Sequence, residues 1–239
     1  MIDFIERYLA RAWFGAIDFA PTTQNLSRLA TMLGRDDMAP LLFQEVGPAG
    51  FVNRPGAMTP DGVWRILIRT DSVDIEHRPR RNEPSPEFAT FLAEAGATLS
   101  NVSVGLDRHA SRIAGVQEVF LQDVGSERMA EVAARLLHLT PTFQEGLFEW
   151  DWRVCSLRSR AFGSHVEPGN TIVAIKRVAG LINDAQPFDR IRISTDINTK
   201  PNDTRPRFTS SDVQTFCRES AGWHDAMVGE VLRFMGLQQ

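Results

Sequence analysis

The chain has 239 residues, 26 basic against 30 acidic, a net charge of −4 and 43% hydrophobic residues; this is enough for a sizeable core and excludes the charge-rich, apolar-poor composition of a disordered chain. No run approaches the roughly 18 apolar residues of a membrane-spanning helix, and the opening Met1-Ile2-Asp3-Phe4-Ile5-Glu6-Arg7 puts acids where a signal peptide carries bases, so a cytoplasmic location is expected. Cys155 and Cys217 lie far apart in no ligand spacing, which gives no basis for a disulfide framework or zinc ribbon and predicts buried thiols.

In chain order, alternation of period two predicts a first strand over Arg11–Phe19, followed by a helix carrying Leu26, Leu29, Ala30 and Leu33 with Thr23 as its cap. Strands are expected over Leu41–Val46, over Trp64–Ile68 with Arg65, Leu67 and Arg69 opposite Trp64, Ile66 and Ile68, and over Val73–His77. Ser85 and Pro86 open a helix through Phe88, Phe91, Leu92, Ala95 and Leu99. A strand over Ile113–Leu121 leads to a helix capped by Ser126 through Met129, Val132, Ala133, Leu136 and Leu137. Phe148, Trp150, Trp152 and Val154 mark a further strand, and with Phe162 these aromatics are assigned to one core-facing side. Strands over Thr171–Leu181 and Phe188–Ile197 precede a last helix from Ser210, running through Val213, Phe216 and Cys217 to Leu232, with a break or kink at Gly222. Adjoining strands stand too close for helical crossovers, so the expected class is α+β, a mainly antiparallel sheet with helices on one side.

Sliding the chain against itself by 125 positions gives ten identities between Arg65 and Glu94, among them Ile66 with Ile191, Asp71 with Asp196, Ser85 with Ser210 and Phe91 with Phe216. This predicts two similar β-α-β-β-β-α halves, 1–104 and 105–239, joined in one compact unit with a groove at their junction. The competing explanation is that any two strand-to-helix units share alternating Ile and a Ser cap.

Motifs for nucleotide phosphates, for the hydrolase nucleophile elbow and for zinc proteases are missing, so any catalytic residues must converge in space. His109 in Asp107-Arg108-His109 and His224 in Trp223-His224-Asp225 are the weak catalytic candidates, each with a nearby carboxylate; a surface histidine or one packed on the helix is the favoured explanation. Asp71 and Asp196 could form a carboxylate pair across a twofold, or simply bond backbone amides in turns. No metal site and no cofactor is expected.

Of the 26 basic residues 24 are arginine, several spaced as Arg-x-Arg: Arg78/Arg80, Arg158/Arg160, Arg190/Arg192 and Arg205/Arg207. In a strand this spacing points both guanidinium groups to one side. Arg65, Arg69, Arg78, Arg80, Arg81, Arg190 and Arg192 are therefore the candidate anion-binding or partner-binding residues, with His77-Arg78-Pro79-Arg80-Arg81 read as an exposed basic loop. Glu149, Asp151, Glu76 and Asp74 on neighbouring positions could instead neutralise them in cross-strand pairs.

Arg192-Ile193-Ser194-Thr195-Asp196-Ile197-Asn198-Thr199, followed by Arg207-Phe208-Thr209 and a helix with Trp223-His224, resembles the tail of a family of uncharacterised bacterial proteins of similar length. The resemblance implies a bacterial cytoplasmic α+β protein and supplies no catalytic residue. Together these features favour a non-catalytic module, a regulator, adaptor or antitoxin-like protein, whose partner is another protein. The alternatives are a hydrolase or transferase with a His/Asp site between the halves, and binding of nucleic acid or a phosphate ligand through the arginine-bearing strands; no membrane partner is expected.

Overall fold

A computed structural model of the protein describes residues 2–47, 50–80, 83–138, 142, 147–182, 186–200 and 202–237. In chain order its elements are β1 (Ile2–Trp13), α1 (Thr23–Leu33), β2 (Ala39–Gly47), β3 (Gly50–Met58), β4 (Trp64–Ile68), β5 (Ser72–His77), α2 (Phe88–Leu106), β6 (Arg112–Leu121), α3 (Ser126–Leu137), β7 (Asp151–Phe162), β8 (His165–Ile182), β9 (Gln186–Thr199) and α4 (Ser210–Phe234). The strands form one nine-stranded sheet in the order β2-β3-β4-β5-β1-β6-β9-β8-β7, with every pairing antiparallel.

Strand alternation sorts the side chains into two faces. Tyr8, Ala10 and Ala12 of β1 lie level with His77, Ile75 and Val73 of β5 and with Gln117, Gly115 and Ile113 of β6, and this face carries the core. Trp64, Ile66 and Ile68 continue it through β4, and Ile193 and Ile197 continue it through β9. Helices α2 and α4 pack on this face and against each other, and α1 joins the same core through α2 and β3. No described helix is long and apolar enough to cross a membrane.

The expected first strand, Arg11–Phe19, is displaced: β1 runs from Ile2 to Trp13. Two register shifts against β6, between Ile2 and Phe4 and between Ile5 and Arg7, interrupt the simple alternation and hide the strand from a period-two reading. The expectation of about eight strands misses β3, because Gly50, Asn53, Pro55 and Gly56 look like a turn. Gly56 is instead required within a strand, since a Cβ there would stand 2.6 Å from the Ile66 carbonyl oxygen. The Phe148–Val154 strand begins only at Asp151, and Phe148 is 74% exposed instead of in the core, whereas Trp150 and Phe162 are buried as expected.

Helix starts also move. Thr22 caps α1, accepting the Asn25 amide at 3.2 Å. In α4, Thr209 accepts the Asp212 amide while Asp212 accepts the Thr209 amide at 2.9 Å, a reciprocal capping box. The caps expected at Thr23 and Ser210 thus fall one residue early, where the backbone is extended. Helices α2 and α3 follow Glu87 and Gly125 with no side-chain cap, so neither Ser85 nor Ser126 serves as one. Helix α4 runs through Gly222 without the break that was one expectation there, and Phe216, Ala221 and Met227 hold it to the core on either side.

Each half opens with a strand and helix and ends with strands and a helix, but the first half carries four strands after α1 where three were expected. The offset of 125 equates β4 with β9. These occupy unlike places: β9 adjoins β6 at the centre, whereas β5 separates β4 from β1.

Close approach of α2 and α4 sets the first prediction. A Cβ at Gly96 would lie 2.8 Å from the Cys217 Cβ, so Gly96→Ala should lose about 1–3 kcal/mol of stability in urea unfolding by overpacking. Gly222→Ala, whose Cβ meets nothing within 4 Å, should be neutral or gain up to about 1 kcal/mol.

Candidate functional site

The face of the sheet opposite the helices is built from ion pairs. Asp74 on β5 is fully buried and held by Arg11 of β1 and, at 2.6 Å, by Arg69 just after β4. Arg7 bonds Glu118 at 2.8 Å, Glu118 also accepts from Arg192 at 2.6 Å, and Arg192 reaches Glu6 at 2.6 Å. Glu76 accepts from Arg78 at 3.0 Å, Arg190 reaches Asp123 at 3.0 Å, and Arg80 pairs with Glu83 at 3.4 Å. Arg65 donates to the Gly62 carbonyl at 3.2 Å. Every described candidate arginine is therefore engaged within the protein; Arg81 lies outside the described residues. The expected acids Asp74 and Glu76 do neutralise neighbouring strands. The loop reading of His77–Arg81 is corrected at its start, because His77 closes β5 and is buried among Tyr8, Trp64 and Phe91.

The four catalytic candidates do not converge. His109 is exposed on the loop after α2. His224 is fully buried on α4, with Nδ1 2.7 Å from Thr195 Oγ1 and its ring edge-on to Phe88 at 4.9 Å. Its Nε2 lies against the Gly115 backbone, without a well-formed hydrogen bond. Burial, reinforced by Arg160 and opposed by the Gly115 backbone, pushes the His224 pKa down to about 3. Asp71 is exposed in the turn between β4 and β5, whereas Asp196 sits in the middle of β9, opposite Val116 and Ile172. Strands β5, β1 and β6 separate the two, so no carboxylate pair forms, and Asp196 is a strand residue where a turn was expected. Burial raises the Asp196 pKa, opposed by the hydrogen bond from Asn198 at 2.8 Å and by Arg112 and Arg11. His165 Nε2 stands 3.2 Å from Asp212, the same carboxylate that caps α4. Among the described residues no group of three or more His, Cys, Asp or Glu is placed to hold a metal ion. Cys217 is buried, and burial pushes its thiol up to about 12, but Cys155 is exposed on β7, against expectation.

The concavity with unmatched chemistry lies at the other end of the molecule, between β7 and the second half of α4. Two adjoining cavities of about 360 and 390 Å³ share Arg158, Met227 and Glu230. β7 is the last strand of the sheet, and its even-numbered residues face the helix side, as Phe162 in the core shows. Trp152, Val154, Ser156, Arg158 and Arg160 therefore line the trough in sequence, met across it by Phe234, Val231, Met227 and Trp223. The Trp152 end is apolar, with the Phe234 ring 6.3 Å away. At the other end Arg160 lies over the Trp223 ring at 5.1 Å, its Nη1 buried without a hydrogen-bond partner. Burial and the like charge of Arg158 lower the Arg160 pKa. Among the described residues neither arginine has a carboxylate within ion-pair distance, and Thr171 Oγ1 on the trough floor is also buried and unpartnered. Sequence reasoning noted the Arg158/Arg160 spacing but not its importance; the signal was that both share the parity of Trp152 and Phe162 and so turn toward the helices.

No protein-family model matches the chain, and no curated protein matches it.

Two predictions follow from this electrostatic layout. Removing Asp74 leaves Arg11 and Arg69 on the sheet without their shared acid, so Asp74→Ala should cost about 3 kcal/mol in urea unfolding. His224 is held neutral, so its contribution is fully present above its unfolded pKa of 6.5 and is lost as pH falls from there toward 3, by about 1.4 kcal/mol per pH unit. A His224→Gln variant should lack that share of the slope, and parallel unfolding curves of both proteins across pH 3.5–7 check it.

Proposed function

We propose that the protein is a non-catalytic protein-interaction module, an adaptor or regulator, whose partner contributes an extended segment to the free edge of β7. One observation carries this reading: a 12-residue edge strand flanked by a trough whose two arginines, among the described residues, have no acidic partner, in a protein whose other described candidate arginines are all engaged. An extended chain laid along β7 would satisfy the outward backbone groups of the edge and drop alternate side chains into the trough. The placement of His224, fully buried and bonded to Thr195, favours a packing role over proton transfer.

We further propose that the two halves, 1–104 and 105–239, descend from one duplicated unit. The support is that β1 and β6 meet at the centre, each flanked by the last strand of its own half, and that Asp74-Ile75 on β5 and Asp196-Ile197 on β9 stand at like positions beside them. On this reading β2 is an addition to the first half.

The test is hydrogen exchange on the intact protein with extended peptides selected against it from a random display library. Amides of residues 152–161 should slow at least tenfold on peptide binding. Protection confined to the ion-paired face or to β2, or failure of any selected peptide to protect β7, would overturn the proposal.

A further inference from the structure

We infer that the β7–α4 trough selects an extended segment of defined polarity, with acidic residues toward its N-terminus and apolar residues toward its C-terminus; this rests on the proposed addition of a strand at β7. Every pairing in the sheet is antiparallel, so an added segment continues the pattern by running from the Phe162 end of β7 toward Asp151. Its trough-facing residues then meet, two apart, Arg160, Arg158, Ser156, Val154 and Trp152.

The chemistry of each position follows from what lines it. The first two positions face guanidinium groups that, among the described residues, have no carboxylate within ion-pair distance, one with a buried Nη1 that has no acceptor, so Asp or Glu fits both. The middle position lies beside Ser156, whose hydroxyl can donate to or accept from it, and suits Ser or Thr. The last two positions face Val154, Val231, Trp152 and Phe234 and suit branched or aromatic side chains. The reversed order is opposed because it would set acids against Trp152, Val231 and Phe234, where no guanidinium compensates their desolvation. The segment read N to C is acid-x-acid-x-Ser/Thr-x-apolar-x-apolar, nine residues long.

The experiment uses a fluorescein-labelled nonapeptide of that pattern with Ser at the intervening positions, and a second peptide of the same composition in reversed order, titrated by fluorescence anisotropy against the full chain. The forward peptide should bind at least tenfold more tightly, its affinity should fall with added salt, and the R158E/R160E double variant should lose at least tenfold. Circular dichroism of the variant confirms that it is folded; where the double variant does not fold, R158E alone, altering an exposed side chain, carries the test. Equal affinity of the two peptides together with β7 protection in hydrogen exchange would overturn the polarity while leaving strand addition standing. Binding of neither peptide, with no library peptide protecting β7, would overturn both.

Discussion

The pairing of β1 with β6 is the constraint on which the rest of the molecule depends. It runs from Trp13 opposite Arg112 to Ile2 opposite Leu121, and it is where the two halves of the sheet become one. Its centre on the helix side is narrow: Ala10 lies opposite Gly115, with Ala12 next along the same face. A Cβ at Gly115 would stand 3.3 Å from His224 Nε2, so the bare backbone there makes room for a ring from α4. The seam therefore positions α4 as well as the strands, and through α4 the wall of the trough at β7.

The two faces of this seam solve different problems. Toward the helices the strands bury aromatic and branched side chains, with the polar groups of Gln117, Thr195 and His224 admitted among them. Away from the helices, where no described helix forms a second layer to exclude water, long arginine side chains lie across the strands to reach buried acids. Stacking extends this cover: Arg112 lies over the Trp13 ring at 4.2 Å, with Arg11 also over it at 5.3 Å. An arginine-rich composition and a net charge of −4 are thus compatible, because arginine here spans acids within the chain.

Much of the fold was legible in the sequence because side-chain parity is a local property. The facing of Trp64, Ile66 and Ile68 against Arg65 and Arg69, and the core stripe of α2 through Phe91, Leu92, Ala95 and Leu99, follow from spacing alone. β1 was misplaced because its bulges shift the alternation, and β3 was missed because Gly56 answers to a carbonyl on another strand, a contact with no local signature. Phe148 was placed in the core on parity that holds only where a strand has begun. The trough was hidden for a related reason. Nothing near Arg158 and Arg160 in sequence says that β7 ends the sheet, since strand order is decided by pairings far along the chain.

A sheet whose described strands leave two unclosed margins is a potential template for its own growth, each molecule offering a ladder to the next. Here the margins are chemically guarded. On β2, Pro40 removes one amide from the ladder, and on β7, Arg153, Arg158 and Arg160 confront a second β7 with cations of its own. Monomers are thereby discouraged from stacking edge to edge into fibres, even though the backbone at each margin is otherwise suited to it.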